Sequence, residues 1–191
     1  MKAVVCEAFG GPEVLALRAI PDPPPPGAGE IQVRIGARGA QYVDVLMLAG
    51  KYQFRPEPPF IPGSEAAGEV VACGPDVTRF SIGDRVMSRH RLGAFAELGN
   101  AGAENCDPIP GGMSLEEAAV FRGAYSTAYH ALLQRGRIKD GDRVLIHGAA
   151  GGIGLPAIQI SKLFGAQVIA TASTDEKRAV CLEEGNHWPR L

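Results

Sequence analysis

The chain has 191 residues, an apolar fraction of 46%, a charged fraction of 21% and a formal net charge of −2. That balance is ordinary for globular domains and excludes a disordered or fibrous chain. No basic run exceeds two residues, which argues against a nucleic-acid or anionic-membrane partner, since both need a concentrated positive face.

The opening MKAVVCEAFGG meets Glu7 too early for a signal-peptide apolar region. No stretch approaches the roughly 18 apolar residues of a membrane span. A soluble, cytoplasmic protein is expected. Cys6, Cys73, Cys106 and Cys181 are widely scattered with no CxxC pair, so a zinc ribbon or redox dithiol is not expected. Free thiols of this kind suit a reducing compartment.

Along the chain, residues 2–6, 14–20 and 31–37 read as strands. The segment PDPPPPGAGE between the last two can neither pair nor coil and forms a surface turn. Residues 42–49 suggest a short helix closed by Gly50. Strands are expected again over 66–72, 85–88 and 94–98. Many short strands punctuated by turns point to a partly open barrel or a sandwich.

At Ser114 the pattern changes. Ser114 and Glu117 form a capping box ahead of an apolar helix through Phe121, and a second helix is expected over 126–133. Then strand 143–147, helix 152–164, strand 167–171 and helix 174–184 alternate, which calls for a parallel sheet. Two domains follow, over residues 1–123 and 124–191.

The densest chemical signal is Val144-Leu-Ile-His-Gly-Ala-Ala-Gly-Gly-Ile-Gly154. An apolar strand runs through a glycine turn directly into a helix. Ala149, Gly151 and Gly154 occupy the three positions of a dinucleotide fingerprint, with Ala150, Gly152 and Ile153 between them. Small residues there allow a tight turn, close approach of backbone to a pyrophosphate, and helix-on-strand packing. The helix N-terminus adds amide donors and a positive dipole end. Pro156 falls in the first turn or two, where it need not break the helix.

At the end of the second strand an NAD enzyme places Asp or Glu on the ribose 2′-hydroxyl. Ser173 stands at or beside that position. A neutral hydroxyl does not repel a 2′-phosphate, and Lys177 and Arg178 lie one helical turn on. NADPH is therefore expected over NADH. Asp175 is one residue away from the sorting position, but it also favours a helix N-terminus, where Ser173 and Glu176 are expected to form a second capping box.

These segments resemble the medium-chain dehydrogenase/reductase superfamily, in particular its zinc-free quinone oxidoreductase (zeta-crystallin-like) branch. The resemblance is carried by MKAVVCEAFGGPEVL, PPPPGAGEIQVRI, DVLMLAGKYQ, PFIPGSEAAGEVVACGPDVTRFSIGDRV, SLEEAAVF and HGAAGGIGLPAIQISKLFGAQVIATASTDEK, in family order. It implies an α/β protein with a β-rich N-terminal part: a GroES-like partly open β-barrel domain followed by the first half of a Rossmann doubly wound parallel sheet. Zinc alcohol dehydrogenases of the superfamily have His where Ser64 stands in Gly63-Ser64-Glu65, a cysteine in the region of Gln41 to Asp44, and a four-cysteine lobe after the position of Leu98. Without those ligands no metal is expected.

The resemblance implies hydride transfer from NADPH to a small-molecule quinone or α,β-unsaturated carbonyl. It places Gln41, Asp44 and Tyr52 in the cleft lining, with Gln41 where relatives usually have Asn. It sets Tyr125, Thr127 and Tyr129 near the nicotinamide, Tyr52 and Tyr129 being the stronger catalytic candidates. Full-length relatives would be homodimers, and this chain would lack their dimer edge.

About six strands make a complete doubly wound domain, and two are legible. The ending Gly185-Asn-His-Trp-Pro-Arg-Leu191 also departs from the family. An N-terminal portion of a longer enzyme, inert or nearly so by itself, is expected. The alternatives are a non-catalytic remnant that keeps only the GroES-like fold, and an enoyl- or acryloyl-thioester reductase.

Overall fold

Strict alternation along EIQVRIGARG turns Ile31, Val33, Ile35 and Ala37 to one side of a strand, and period two is the signature of a half-buried strand. In the computed structural model, which describes residues 1–184, the elements in order begin with β1 (Lys2–Cys6), β2 (Leu15–Ala19), β3 (Glu30–Gly39) and α1 (Tyr42–Leu48). Then come β4 (Glu65–Cys73), β5 (Arg85–Arg89), β6 (Leu98–Gly102), β7 (Cys106–Pro108) and α2 (Leu115–Tyr129). The series ends with β8 (Arg143–Ile146), α3 (Gly154–Leu163), β9 (Gln167–Ala170) and α4 (Asp175–Glu184). The chain divides into two compact units, Met1–Arg122 and a second beginning at Gly123.

In the first unit β1 and β2 form an antiparallel pair, and five antiparallel strands run in the order β6-β3-β4-β5-β7. Ile31, Val33, Val70 and Val86 are fully buried in its core together with Phe80 and Cys106. Each fully buried aliphatic side chain stabilises the fold by roughly 1.5–3 kcal/mol relative to exposure. β4 carries Gly68 opposite Ile35. A Cβ there would lie 2.0 Å from the Arg34 carbonyl oxygen, so only glycine lets these two strands approach.

Residues 94–98 do not form the expected strand. The amides of Ala94 and Phe95 donate to the carbonyls of Gly63 and Pro62, so these donors serve the loop before β4. The ladder instead begins at Leu98 and pairs with the first half of β3. The helices expected over 114–121 and 126–133 are one helix, α2, followed by a π-helical turn, His130–Arg135. A single interior glycine, Gly123, costs a helix only about 1 kcal/mol, and buried Ala118, Ala119 and Ala128 on either side anchor it. The capping box holds: the Glu117 amide donates to Ser114 Oγ at 3.1 Å and the Ser114 amide to Glu117 Oε2 at 2.8 Å.

In the second unit β8 and β9 are parallel neighbours, registered from Arg143 opposite Gln167 to Ile146 opposite Ala170. Ala157, Ile158 and Ile160 of α3 pack with Ile146, Ala149 and α4's Cys181 into one core. Pro156 sits in the first turn of α3. The expectation for residues 185–191 lies outside the described residues. Among the described residues no helix is long and apolar enough to cross a membrane.

Candidate functional site

In the first unit α1 is fixed to β4 by a short polar chain. The Gln41 backbone amide donates to Asp44 Oδ2 at 2.8 Å, and the Gln41 side-chain amide donates to Glu65 Oε2 at 3.0 Å. Asp44 is 3% and Glu65 6% exposed. Burial, the largest influence, pushes the Asp44 carboxyl above its ordinary range, against the amides of Gln41 and Gly63, which pull it down. The Gly63 contribution is weak, because no donor among the described residues meets Asp44 Oδ1 at hydrogen-bonding geometry. Gln41 and Asp44 are therefore brought together. Their partner Glu65 was not singled out from the sequence, although it sits in the Gly63-Ser64-Glu65 segment that relatives of the zinc type use.

Tyr52 lies half-buried in the turn after α1, which Gly50 closes with φ +63 and a Lys51 amide donating to the Leu46 carbonyl. Ser64 accepts the His90 amide on its backbone carbonyl at 2.8 Å. His90 is buried, with Nε2 2.9 Å from Ser88 Oγ, and burial pushes its pKa down. This is a satisfied core histidine. Among the described residues no three His, Cys, Asp or Glu side chains are grouped so as to hold a metal ion.

In the second unit the glycine turn follows β8 directly. Ala149 is fully buried, and its amide donates to the Thr171 carbonyl at 2.9 Å, tying the turn to the end of β9. Gly154 is the packing glycine: a Cβ on it would lie 2.4 Å from the Ala149 carbonyl oxygen. Gly152 is the opposite case, exposed and with nothing within 4 Å of where its Cβ would be. Among the described residues the amides of Gly152 and Ile153 have no acceptor, and both precede the N-terminus of α3. A shallow, donor-lined turn with open space above it fits a pyrophosphate.

Ser173 is exposed just beyond β9, and Lys177 Nζ lies 3.5 Å from its Oγ. The expected capping box on Ser173 is displaced by one residue. α4 starts at Asp175, so Thr174 is the cap, and its Oγ1 accepts the Lys177 amide at 3.3 Å. Ser173 is thereby left outside the cap.

Thr127 and Tyr129 are exposed on α2, and Tyr129 meets Phe164 edge-on at 6.5 Å. The Tyr125 hydroxyl donates to Gln159 Oε1, and Gln159 Nε2 donates to Glu184 Oε2 at 2.5 Å. Burial first and Glu184 second push the Tyr125 pKa up. Gln159, which takes the Tyr125 hydroxyl, carried no sequence signal: it is one of three polar residues, with Ser161 and Lys162, on a mostly apolar helix.

An antiparallel GroES-like sheet followed by a parallel strand–glycine turn–helix–strand unit defines the medium-chain dehydrogenase/reductase architecture. The alcohol dehydrogenase GroES-like domain model matches residues 27–134, and the chain belongs to that family. It is similar to human quinone oxidoreductase, with 36% identity over 188 residues, covering 98% of this chain and 57% of that protein. The crystal structure of Escherichia coli quinone oxidoreductase complexed with NADPH superposes with a TM-score of 0.90 at 34% identity, covering 96% of this chain and 56% of that one. A crystal structure of an NAD-dependent alcohol dehydrogenase gives a TM-score of 0.92 at 33% identity, covering 97% and 62%. The chain thus spans little more than half the length of the proteins it matches. One fold serves both cofactors among them, so the discrimination rests on local residues.

Proposed function

We propose that this chain carries the N-terminal part of an NADPH-dependent reductase acting on a small quinone or α,β-unsaturated carbonyl, with residues 1–123 as its catalytic domain and 124–191 as part of its cofactor domain. When bound, NADPH supplies the hydride. The turn Ala149, Ala150, Gly151, Gly152, Ile153 and Gly154 cradles the pyrophosphate: the Gly152 and Ile153 amides and the α3 N-terminus face it, while Ala149 ties the turn to β9 and Gly154 packs the helix close. Ser173 and Lys177 take the 2′-phosphate, and Thr127 stands at the nicotinamide end. Tyr52 and Tyr129 contact the acceptor. Gln41 and Asp44 shape the wall beside it, Asp44 from a buried position through the Gln41 backbone.

The observation that carries the reading is the pairing of an open glycine turn with an uncharged Ser173 that has a lysine ammonium 3.5 Å away. An acidic residue at that position would repel a 2′-phosphate, and a serine leaves it a donor. The resemblance to quinone oxidoreductases over 98% of the chain supports the choice of acceptor.

The test is to assay NADPH oxidation by the chain extended to the length of its relatives, using a benzoquinone and a cyclic enone as acceptors, beside the chain as it stands. Turnover by the extended protein with either acceptor is the expected result. Failure with both, in a folded extended protein, would overturn the proposal.

A further inference from the structure

Lys177 and Arg178 are consecutive, yet both side chains reach back to the two residues that leave β9. Lys177 Nζ lies 3.5 Å from Ser173 Oγ, and Arg178 Nη1 donates to the Ala172 carbonyl at 3.4 Å. Side chains in the first turns of a helix lean toward its N-terminus, so both cations can be delivered to one place. The second amino group of Arg178, Nη2, is paired with the Asp175 carboxylate. Both partners face water, with 54% of the Arg178 and 91% of the Asp175 side chain exposed. A pair so exposed holds weakly and exchanges readily for a better anion.

A guanidinium fork matches a phosphate as well as a carboxylate, and a phosphate monoester brings more charge and more acceptor oxygens than Asp175 does. An ammonium at Ser173 and a guanidinium at the adjoining Ala172 carbonyl together form a receptor for a doubly charged group. We infer that Arg178 is a second determinant of specificity for a 2′-phosphorylated adenosine nucleotide, oriented by Asp175, whose place on the guanidinium the phosphate takes. The inference rests on the dinucleotide reading above and adds to it an exchange of partners on Arg178.

Asp175 then has two opposed effects. It orients Arg178 before binding, and its charge opposes the arriving phosphate. The opposition outweighs the orientation, because Arg178 is also steered by the Ala172 carbonyl. Asp175→Asn should therefore bind the phosphate more tightly. It leaves the Thr174 cap in place, since that bond uses the Lys177 amide.

The experiment is calorimetric titration of the full chain with adenosine 2′,5′-bisphosphate and with adenosine 5′-monophosphate, the far-ultraviolet signal confirming each variant's fold. Arg178→Gln should weaken the bisphosphate on the order of tenfold. Asp175→Asn should tighten it by roughly two- to fivefold, and the double variant should show no such gain. The monophosphate should change less than twofold throughout. If the bisphosphate is still preferred but Arg178→Gln binds it like the parent, the exchange is overturned while the cofactor reading stands on Lys177. If Asp175→Asn weakens the bisphosphate, the orienting effect dominates and the exchange is likewise overturned. If the parent chain binds neither nucleotide, the dinucleotide reading fails and the inference with it.

Discussion

Gln41 reaches from the start of α1 to Glu65 on β4, its side-chain amide donating to Oε2 at 3.0 Å. Nitrogen must face the carboxylate here, because the amide oxygen would be repelled. Gln41→Ala removes one donor from a buried carboxylate, and a hydrogen bond to a charged group is worth about 1.5–3 kcal/mol. The expected result is an unfolding free energy of the first unit, measured by urea denaturation, that is lower by an amount in that range. Gln41→Glu should be worse than alanine, since it sets a second carboxylate against Glu65.

Asp44 makes a second prediction, about pH. Burial raises its folded-state pKa above the ordinary aspartate value of 3.8. The folded chain therefore binds an extra proton between 3.8 and the raised value, and its stability falls as pH rises through that window and is level above it. Asp44→Asn keeps an oxygen for the Gln41 amide and removes the titration. Relative to that variant, the parent should gain stability as pH is lowered from neutrality toward about pH 4. Parallel stability curves for the two proteins across that range would contradict the assignment.

Much of this architecture was legible because local signals agree. Strand 2–6 has the bounds its apolar pattern implies, and the Ser114–Glu117 box opens α2 where expected. What the sequence hid depends on partners far along the chain. Residues 94–98 have a strand-like composition, yet two of their donors are taken by carbonyls of Gly63 and Pro62. Gly123 reads as a break, but packing of alanines on both sides carries the helix through it. The cap of α4 moved from Ser173 to Thr174 because either hydroxyl can cap a helix and only the backbone chooses. In the candidate site the same contrast holds. The glycine turn is a contiguous signal, whereas the Gln41–Glu65 bond joins residues 24 apart.

The third prediction concerns cofactor choice. Changing Ser173→Asp together with Lys177→Ala puts a carboxylate where the 2′-phosphate is proposed to sit and removes the nearest ammonium. A charged hydrogen bond is worth about 1.5–3 kcal/mol, or roughly 10- to 150-fold in affinity. The ratio of NADPH to NADH dissociation constants should move by at least the lower figure and reverse in favour of NADH. Both residues are exposed, so thermal stability should barely change.

Two glycines of the turn, two residues apart, should respond oppositely to the same added methyl group. At Gly154 the new Cβ would lie 2.4 Å from the Ala149 carbonyl oxygen and 2.6 Å from Ala149 Cα, all backbone that cannot swing aside. Ala149 is itself fixed by its bond to Thr171 and its place in the core. Gly154→Ala must therefore push α3 off β8, and overpacking of this kind costs about 1–3 kcal/mol. At Gly152 the Cβ meets nothing within 4 Å. Its φ is outside the left-handed region, so alanine adds no backbone strain and should leave the thermal midpoint where it is. If the pyrophosphate lies against this turn, however, that empty space is where its oxygens approach the amides of Gly152 and Ile153. The methyl group would then hold the phosphate away and weaken dinucleotide binding on the order of tenfold, the equivalent of one charge-assisted hydrogen bond. Thermal denaturation and NADPH titration of the two variants separate the roles: Gly154→Ala should lose stability first, and Gly152→Ala should lose affinity alone. A Gly152→Ala protein that binds NADPH as tightly as its parent would show that the turn is only a tight connection between strand and helix.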